Sequence, residues 1–415
     1  MFEVKSVDEV FKILNDYFAG YDTGNENIDI FEATGRFIAE DITSEEDIPG
    51  FHRSSVDGFA VIAADTFGAS DTFPAQLRLK GEVRMGETPA FSLKNGEAAS
   101  IPTGGELPEN ADAVVMVEYT DFYDDGFVYI NKASAPGNSV VFKGDDTKKC
   151  SLVIKKASVI RPQEAGILAA VGYKEVSVKK KLKVGVISTG DEVVPAGSKL
   201  TGAQVRDVNA PMICAGVREF GAEAVYYGIV KDKYEEIQNK AAAALEECDI
   251  VLLSGGSSVG ERDQTAKVIE SFGAPGILVH GIAVKPGKPT IIGKVKGKAI
   301  IGLPGHPASA YMIFRVFVGH LIRLMTNTGY GKTDKDNNYD ARAVTAEMSC
   351  NYPSNNGRDE YVPVTLDQSE GKLLAVPVFG KSGLVSMLSS AEGFVHIKRS
   401  SEGLQKGQAV KVIRF

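Results

Sequence analysis

Four acids sit where short apolar runs of the chain give out. Asp191 and Glu192 follow Lys183–Ile187, Asp232 follows Ala224–Val230, and Asp263 lies beyond Ile250–Leu253. Carboxylates gathered at one place attract a divalent cation. Mg2+ prefers oxygen ligands and commonly takes one or two carboxylates plus a substrate phosphate. Two lysines, Lys285 and Lys288, stand on Lys285-Pro286-Gly287-Lys288-Pro289, where the prolines stiffen the backbone. Ammonium groups held in this way suit a tetrahedral oxyanion. The Gly/Ser-rich run Ser254–Gly260, with Ser257 and Ser258, follows an apolar run and precedes a helical pattern. Outward N–H groups and a helix N-terminus suit a phosphate there. Leu303-Pro304-Gly305-His306-Pro307 offers further N–H groups before a helix, and its His306 can cap, bind or titrate, capping being the simplest role. An N-cap, a basic turn or a solvated loop would explain any one of these. Their recurrence in loop after loop points to a site for an anion and a metal ion.

The elements that must position these loops follow from periodicity. From Lys181 onward, apolar runs alternate with helix candidates at Asp207–Phe220, Lys233–Glu247, Arg262–Phe272 and Pro307–Met325. That alternation predicts a mostly parallel α/β sheet with the loops at its carboxyl edge, where open sheets bind ligands. Before it, Ser6-Val7-Asp8-Glu9 is a capping box that opens an amphipathic helix stopped by Gly20. Residues 27 to 143 carry turn signals and short β-prone runs, including Phe59–Ile62, Gln76–Leu79, Ala113–Val117 and Phe127–Ile130. Pro162–Val171 reads as a short helix, and Asp57-Gly58 as a turn. Thr326–Tyr339 is polar and reads as a linker to a small β-barrel or sandwich built from Ala341–Met348, Tyr361–Leu366, Leu373–Phe379, Gly393–Ile397 and Ala409–Ile413.

A chain of 415 residues exceeds one core and implies several domains. The net charge of −8 argues against non-specific nucleic-acid binding. Cys150, Cys214, Cys248 and Cys350 form no C-x-x-C pair, so neither zinc nor a disulfide framework is indicated. No secretory h-region is visible. The most apolar helix candidate, within Ala308–Met325, carries Arg315, His320 and Arg323 and reads as a core helix. A cytoplasmic protein without membrane contact is expected. Neither a Walker loop nor a G-x-G-x-x-G fingerprint is present.

Taken together, Ser54–Ala60, Thr103–Gly105 with Ala111–Met116, Ser188–Glu192, Ser254–Asp263, Lys285–Pro289, Leu303–Ser309, Gly357–Tyr361 and Lys381-Ser382-Gly383 resemble the molybdopterin molybdenumtransferase family. That family includes bacterial MoeA and the E domain of gephyrin. The resemblance covers nearly the whole chain. It implies a MogA-like α/β domain (181–328), a β-rich inserted domain (27–42 and 54–143), a helical linker domain (1–26, 43–53 and 144–180) and a C-terminal β-barrel (329–415). It also implies a homodimer whose active site is shared between subunits.

The implied reaction joins molybdate to adenylylated molybdopterin with Mg2+ and releases AMP, giving molybdenum cofactor. Carried over by position, Asp57, Thr103, Asp145, Glu192, Asp232 and Asp263 form the catalytic set, the last three holding the metal. Ser257, Ser258, Lys285, Lys288, Pro289, His306, Ser309, Arg358 and Ser382 are the implied substrate and molybdate groups. His306 departs from many bacterial members, which carry Asn. Contact with a molybdopterin adenylyltransferase and with apo-molybdoenzymes is a further expectation. Two other readings stay open at this point: a molybdopterin adenylyltransferase or related nucleotide-pyrophosphate hydrolase, and a gephyrin-like scaffold without catalysis.

Overall fold

The computed structural model describes residues 4–123, 125–255, 264–326, 343–355, 357–369, 371–380 and 383–415. It divides into two compact units: residues 27–178, and residues 1–26 together with 179–415.

In the first unit a six-stranded sheet runs in the order Ala113–Met116, Gly58–Val61, Glu97–Ile101, Ala75–Glu82, Phe127–Ile130, Thr120–Phe122. Its side chains alternate between two cores. Phe59, Val61, Ala113 and Val115 enter one, while Ala60 and Val114 enter the other, as the two-residue period of a strand requires. Gly58 opens a strand rather than completing a turn. A Cβ there would lie 1.9 Å from the Val115 carbonyl oxygen, so only glycine permits the pairing. Residues 27–42 do not join this sheet. Ile30, Ile38 and Ile42 pack with Ile154, Ile160, Leu168, Val176 and Val178 in a separate core that includes the helix Pro162–Ala170. Apolar side chains pack where the chain returns beside them, and residues 152–154 pair with 42–43.

The second unit holds the α/β sheet. Its strands are β1 (Lys183–Thr189), β2 (Glu223–Val230), β3 (Ile250–Ser254), β4 (Gly276–His280), β5 (Ile291–Val295) and β6 (Lys298–Leu303), in the order β2-β1-β3-β6-β5-β4. Only β5 runs against the rest. One face is covered by α1 (Val7–Phe18), α2 (Asn209–Glu219) and the helical run Pro307–Met325, the other by α3 (Tyr234–Glu247) and α4 (Gln264–Ser271). Leu252 turns to the first core and Val251 and Leu253 to the second, so β3 is apolar on both sides. The sequence boundaries of α2 and α3 extend one or two residues too far at their N-terminal ends. The capping box at Ser6 forms as expected. Within the expected 1–26 linker segment, α1 packs on the α/β core, with Phe11 against Phe317 at 5.2 Å between ring centroids. The run Pro307–Met325 is apolar and long enough to cross a membrane, yet is mostly buried in this core.

Five further strands, Ala343–Met348, Asp359–Ser369, Lys372–Pro377, Gly393–Ile397 and Ala409–Arg414, close into a barrel, because Asp359–Ser369 pairs with both of its neighbours. Apart from Thr326, the expected linker lies outside the described residues. Arg315 ties the barrel's last strand to the α/β core. It is 5% exposed, donates to Glu219 Oε2 at 2.8 Å and to the Arg414 carbonyl at 3.2 Å, and lies over the rings of Phe220, Tyr311 and Phe415. Replacing it with Ala removes a buried guanidinium, its bond to the exposed Glu219 and its ring contacts together. Arg315→Ala is expected to cost about 2–3 kcal/mol, read as a lower first transition in a thermal melt; an unchanged melt would contradict this account of the junction.

Candidate active site

A cleft of about 790 Å3 opens at the carboxyl edge of the α/β sheet. Ser188 and Thr189 from the end of β1, Ser254 and Gly255 from β3, and Gly305, His306 and Pro307 after β6 line it. Glu192 and Asp232 stand in its wall. The approach between β1 and β3 depends on glycine. Gly255 has φ +120°, and a Cβ there would meet the Thr189 carbonyl oxygen at 2.2 Å.

The floor is tied together by α2. Asp207, just before this helix, is buried and accepts from the Ser188 hydroxyl at 2.6 Å, the Tyr226 hydroxyl at 3.0 Å and the Ala210 N–H at 3.0 Å. Burial, and then the charge of Asp207, push the Tyr226 phenol up to about 12. Asn209 donates from Nδ2 to Ser254 Oγ at 2.9 Å and to the Gly305 carbonyl at 2.8 Å, linking the loops after β3 and β6. Neither Asp207 nor Asn209 stands out in the sequence, where Asp-x-Asn before a helix reads as an ordinary cap. Asp232 has its carboxyl pushed up by partial burial and then by the negative charges of Glu192 and Asp191. Asp232 therefore feels both neighbouring acids at this edge.

A second cavity, of about 410 Å3, gathers Lys285, Lys288, Pro289, Ser309 and Arg358. Here the barrel meets the α/β domain. Val284–Lys285 pairs in parallel with Asp359–Glu360. Lys285 Nζ lies 2.7 Å from Glu360 Oε1 and is half exposed, whereas Glu360 is buried. Glu360 also accepts from Tyr352 OH at 3.0 Å and Ser354 Oγ at 2.6 Å. Burial alone would raise this carboxyl; the bonds from Lys285, Ser354 and Tyr352 overcome it and leave it below the usual range. The lysine loop is rigid. Thr290 Oγ1 donates to the Gly287 carbonyl at 2.7 Å, and Gly287 has φ +115° with Ile313 occupying the place of a Cβ.

The cleft and the cavity adjoin. Pro307 lines the first and Ala308 and Ser309 the second, while Gly383–Ser386 line the first and Gly380 and Met387 the second. His306 opens on the cleft. It occupies the N-cap position, but its side chain makes no capping bond, so the capping role expected for it is not met. In the other unit, Asp57 Oδ1 accepts from the Thr103 N–H at 2.7 Å and from its hydroxyl at 2.9 Å. These bonds, backbone first, hold the exposed Asp57 below the usual carboxylate range. Asp145 closes a turn of the same unit. It accepts from the Phe142 N–H at 2.7 Å, past the far end of a ladder that joins Val140–Val141 to Arg53–Ser54. Ser257, Ser258, Asp263 and Ser382 lie outside the described residues.

Three family regions match in chain order: the MoeA N-terminal region (domain I and II) over residues 5–172, a probable molybdopterin binding domain over 185–323, and the MoeA C-terminal region (domain IV) over 345–415. A putative molybdopterin biosynthesis protein of Methanocaldococcus jannaschii is 34% identical, over 99% of this chain and 97% of its own. The chain belongs to the MoeA family. A molybdopterin molybdenumtransferase of Bacillus subtilis is 31% identical, over 91% of this chain and 87% of its own. The crystal structure of a MoeA protein from Pyrococcus horikoshii superposes with a TM-score of 0.84 at 38% identity, covering 99% of both chains. The MoeA domain order thus accounts for the barrel beside the α/β domain, where the basic cavity forms.

With Lys285, Lys288 and Arg358 lining one cavity and Lys285 paired to the buried Glu360, removing Glu360's charge raises the positive potential of the cavity. Glu360→Gln is expected to tighten binding of a dianion such as sulfate about three- to tenfold, the effect being screened at the half-exposed Lys285. Calorimetry at two salt concentrations measures it; weaker binding would mean that Glu360 acts mainly by placing Lys285.

Proposed function

We propose that this protein transfers molybdate to adenylylated molybdopterin in a Mg2+-dependent step that releases AMP. As a MoeA-family enzyme it belongs to molybdenum cofactor biosynthesis. The observation that carries the finer reading is the junction of an acid-lined cleft with a lysine- and arginine-lined cavity across the start of one helix. One ligand can then lie in the cleft and a small oxyanion beside it.

The donor set fits a divalent ion. Glu192 and Asp232 both line the cleft, and the Asp232 carboxyl is raised first by burial and then by repulsion from Glu192 and Asp191, which a cation would relieve. Glu192 and Asp232 would hold Mg2+, with Asp263 as the third acid expected from the sequence. Bound there, the ion would neutralise charge developing on a phosphoanhydride. Lys285, Lys288 and Arg358 hold molybdate by charge, and the Ser309 hydroxyl adds a neutral donor. A water oxygen attacks the AMP phosphorus, the phosphoanhydride bond to the molybdopterin phosphate breaks, AMP leaves carrying the water's oxygen, and molybdate condenses with the freed molybdopterin dithiol with loss of one oxygen as water. No nucleophilic side chain is required. The chain's part is to bring two anions together in a preorganised field. Asp57 and Thr103, exposed and bonded to each other, are suited to complete the site of a second copy in a homodimer. Supply of substrate by an adenylyltransferase, delivery to apo-molybdoenzymes and action in the cytoplasm complete this reading.

The direct test mixes the protein with adenylylated molybdopterin, Mg2+ and molybdate and follows AMP; release that ignores molybdate would overturn the reading. Lys285→Ala and Lys288→Ala are expected to raise the molybdate concentration for half-maximal rate about tenfold or more while sparing pterin binding. Equal losses of both would contradict the assignment of that cavity. Mg2+ should also stabilise the fold in a pH-dependent way. Because the folded Asp232 pKa is raised, ionising it costs stability as pH rises through that value. Mg2+ offsets the cost only where the group is ionised, so the gain grows from acid to neutral pH. At tenfold excess over Kd the gain is about 1.4 kcal/mol. Asp232→Asn should melt higher than the parent without Mg2+ and gain less from it, as calorimetric melts at two pH values would show.

A further inference from the structure

The barrel strand Asp359–Ser369 carries Glu360 to the basic cavity, and beside Glu360 it holds a polar pair to which the proposed reaction gives no role. His396 Nε2 donates to Asp359 Oδ1 at 2.7 Å. The imidazole also lies on the Tyr361 ring, with centroids 4.7 Å apart and planes at 21°. Asp359 and Tyr361 are both buried, and Tyr361 forms part of the cavity wall. Tyr361 and His396 are direct cross-strand partners, so the imidazole reaches Asp359 on the diagonal. Side chains alternate along a strand, so residues 359 and 361 share one face and Glu360 takes the other. One imidazole therefore grips the residue before Glu360 and the residue after it.

The lysine side of the junction is held from elsewhere. Lys5, just ahead of α1, donates its N–H to the Gly281 carbonyl at 3.0 Å, and its carbonyl accepts from the Ala283 N–H at 2.7 Å. The run that leads to Lys285 is thus fixed on its far edge. On its near edge only Val284 and Lys285 pair with the barrel strand. Two residue pairs set the spacing of the strands but leave the barrel strand free to roll about its own axis. A roll of residues 359–361 would carry Glu360 Oε1 away from Lys285 Nζ, now at 2.7 Å, and would swing Arg358 with it. A buried polar pair adds little stability over apolar packing. A satisfied one does fix direction, and direction is what this strand lacks.

We propose that His396 is a positioning residue for oxyanion binding in the basic cavity. Through Asp359 and Tyr361 it sets the roll of the barrel strand, and so the direction of the Lys285–Glu360 pair and of Arg358. It acts without touching the anion. That the anion is molybdate rests on the proposed function; the positioning itself applies to any small oxyanion that the cavity takes.

The test is calorimetric binding of molybdate and of sulfate to the full chain, with AMP release followed beside it. His396→Ala and His396→Phe should each weaken both oxyanions about fivefold to tenfold. The Phe variant keeps a ring on Tyr361 and loses only the bond to Asp359, so it carries the test even where the Ala variant folds poorly. His396→Gln keeps an Nε2 donor and should restore affinity to within about twofold of the parent. In AMP release, the molybdate concentration for half-maximal rate should rise by the same factor as the binding constant. The rate at saturation should fall by less than about twofold, a split that mere loss of stability does not produce. Parent-like oxyanion affinity in His396→Phe, or no recovery in His396→Gln, overturns the positioning role and leaves the proposed function standing. Oxyanion binding that follows these expectations without any molybdate-dependent AMP release overturns the proposed function and leaves the positioning role standing. A parent protein that binds neither oxyanion overturns both.

Discussion

Val284–Lys285 lies parallel to Asp359–Glu360, and the Asp359 N–H donates to the Ala283 carbonyl at 2.9 Å. This short ladder carries a strand of the α/β domain into the barrel's sheet, and the basic cavity depends on it. It sets the Lys285 ammonium against the buried Glu360 and brings Arg358 to the wall that holds Lys288 and Ser309. It also fixes the barrel where Gly383–Ser386 can reach the cleft. Backbone pairing suits this task. It constrains several residues at once, whereas an exposed ion pair alone is worth about 0–1 kcal/mol and would leave two long side chains free to move. Arg315, bonded to the Arg414 carbonyl, braces the same junction from the far end of the barrel.

Electrostatics then divides the junction into two compartments. The acids Glu192 and Asp232 face the cleft, and Lys285, Lys288 and Arg358 face the cavity. In one compartment they would pair with each other and neutralise the site. The start of the Pro307 helix and the 380–387 segment run between them. Within each compartment a buried carboxylate is fully engaged by donors: Asp207 with two hydroxyls and an N–H, Glu360 with a lysine and two hydroxyls. Such groups hold the loops, and with three donors on each carboxylate little acceptor capacity is left for a ligand.

The sheet was legible because its signals are local. Buried β runs such as Ile250–Leu253, polar loops at their ends and glycines at the turns all lie close in sequence. The acids and lysines were found for the same reason. What stayed hidden depends on distant contacts. Nothing near Lys285 announces a parallel ladder with Asp359 and Glu360, and Glu360 reads as one acid among many until its burial is known. Asn209 passes for a helix-start residue until Ser254 and Gly305 arrive beside it. His306 shows the converse: a sound local expectation, capping, gives way when the turn leaves its ring on the cleft wall instead. Asp57-Gly58 is similar, since the glycine answers a close approach across the sheet rather than a turn.

The barrel's place in the chemistry follows from what the α/β domain would lack without it. Alone, that domain would keep Ser188, Asp207, Asn209, Glu192 and Asp232, and so a cleft with a polar floor and acids in its wall. It would also keep Lys285 and Lys288, but on a loop with no counter-charge beneath it and no Arg358 opposite. Two free ammonium groups bind any polyanion, including the phosphates of the ligand in the cleft. With the barrel in place, Glu360 partly neutralises Lys285 and fixes its direction, while Arg358 and the cavity walls limit what fits. Under the proposed function, the lysines then favour a small oxyanion beside the larger ligand rather than the larger ligand itself. A transferase that joins two anions needs that discrimination, because its slower partner must find its subsite still vacant when the first is already bound.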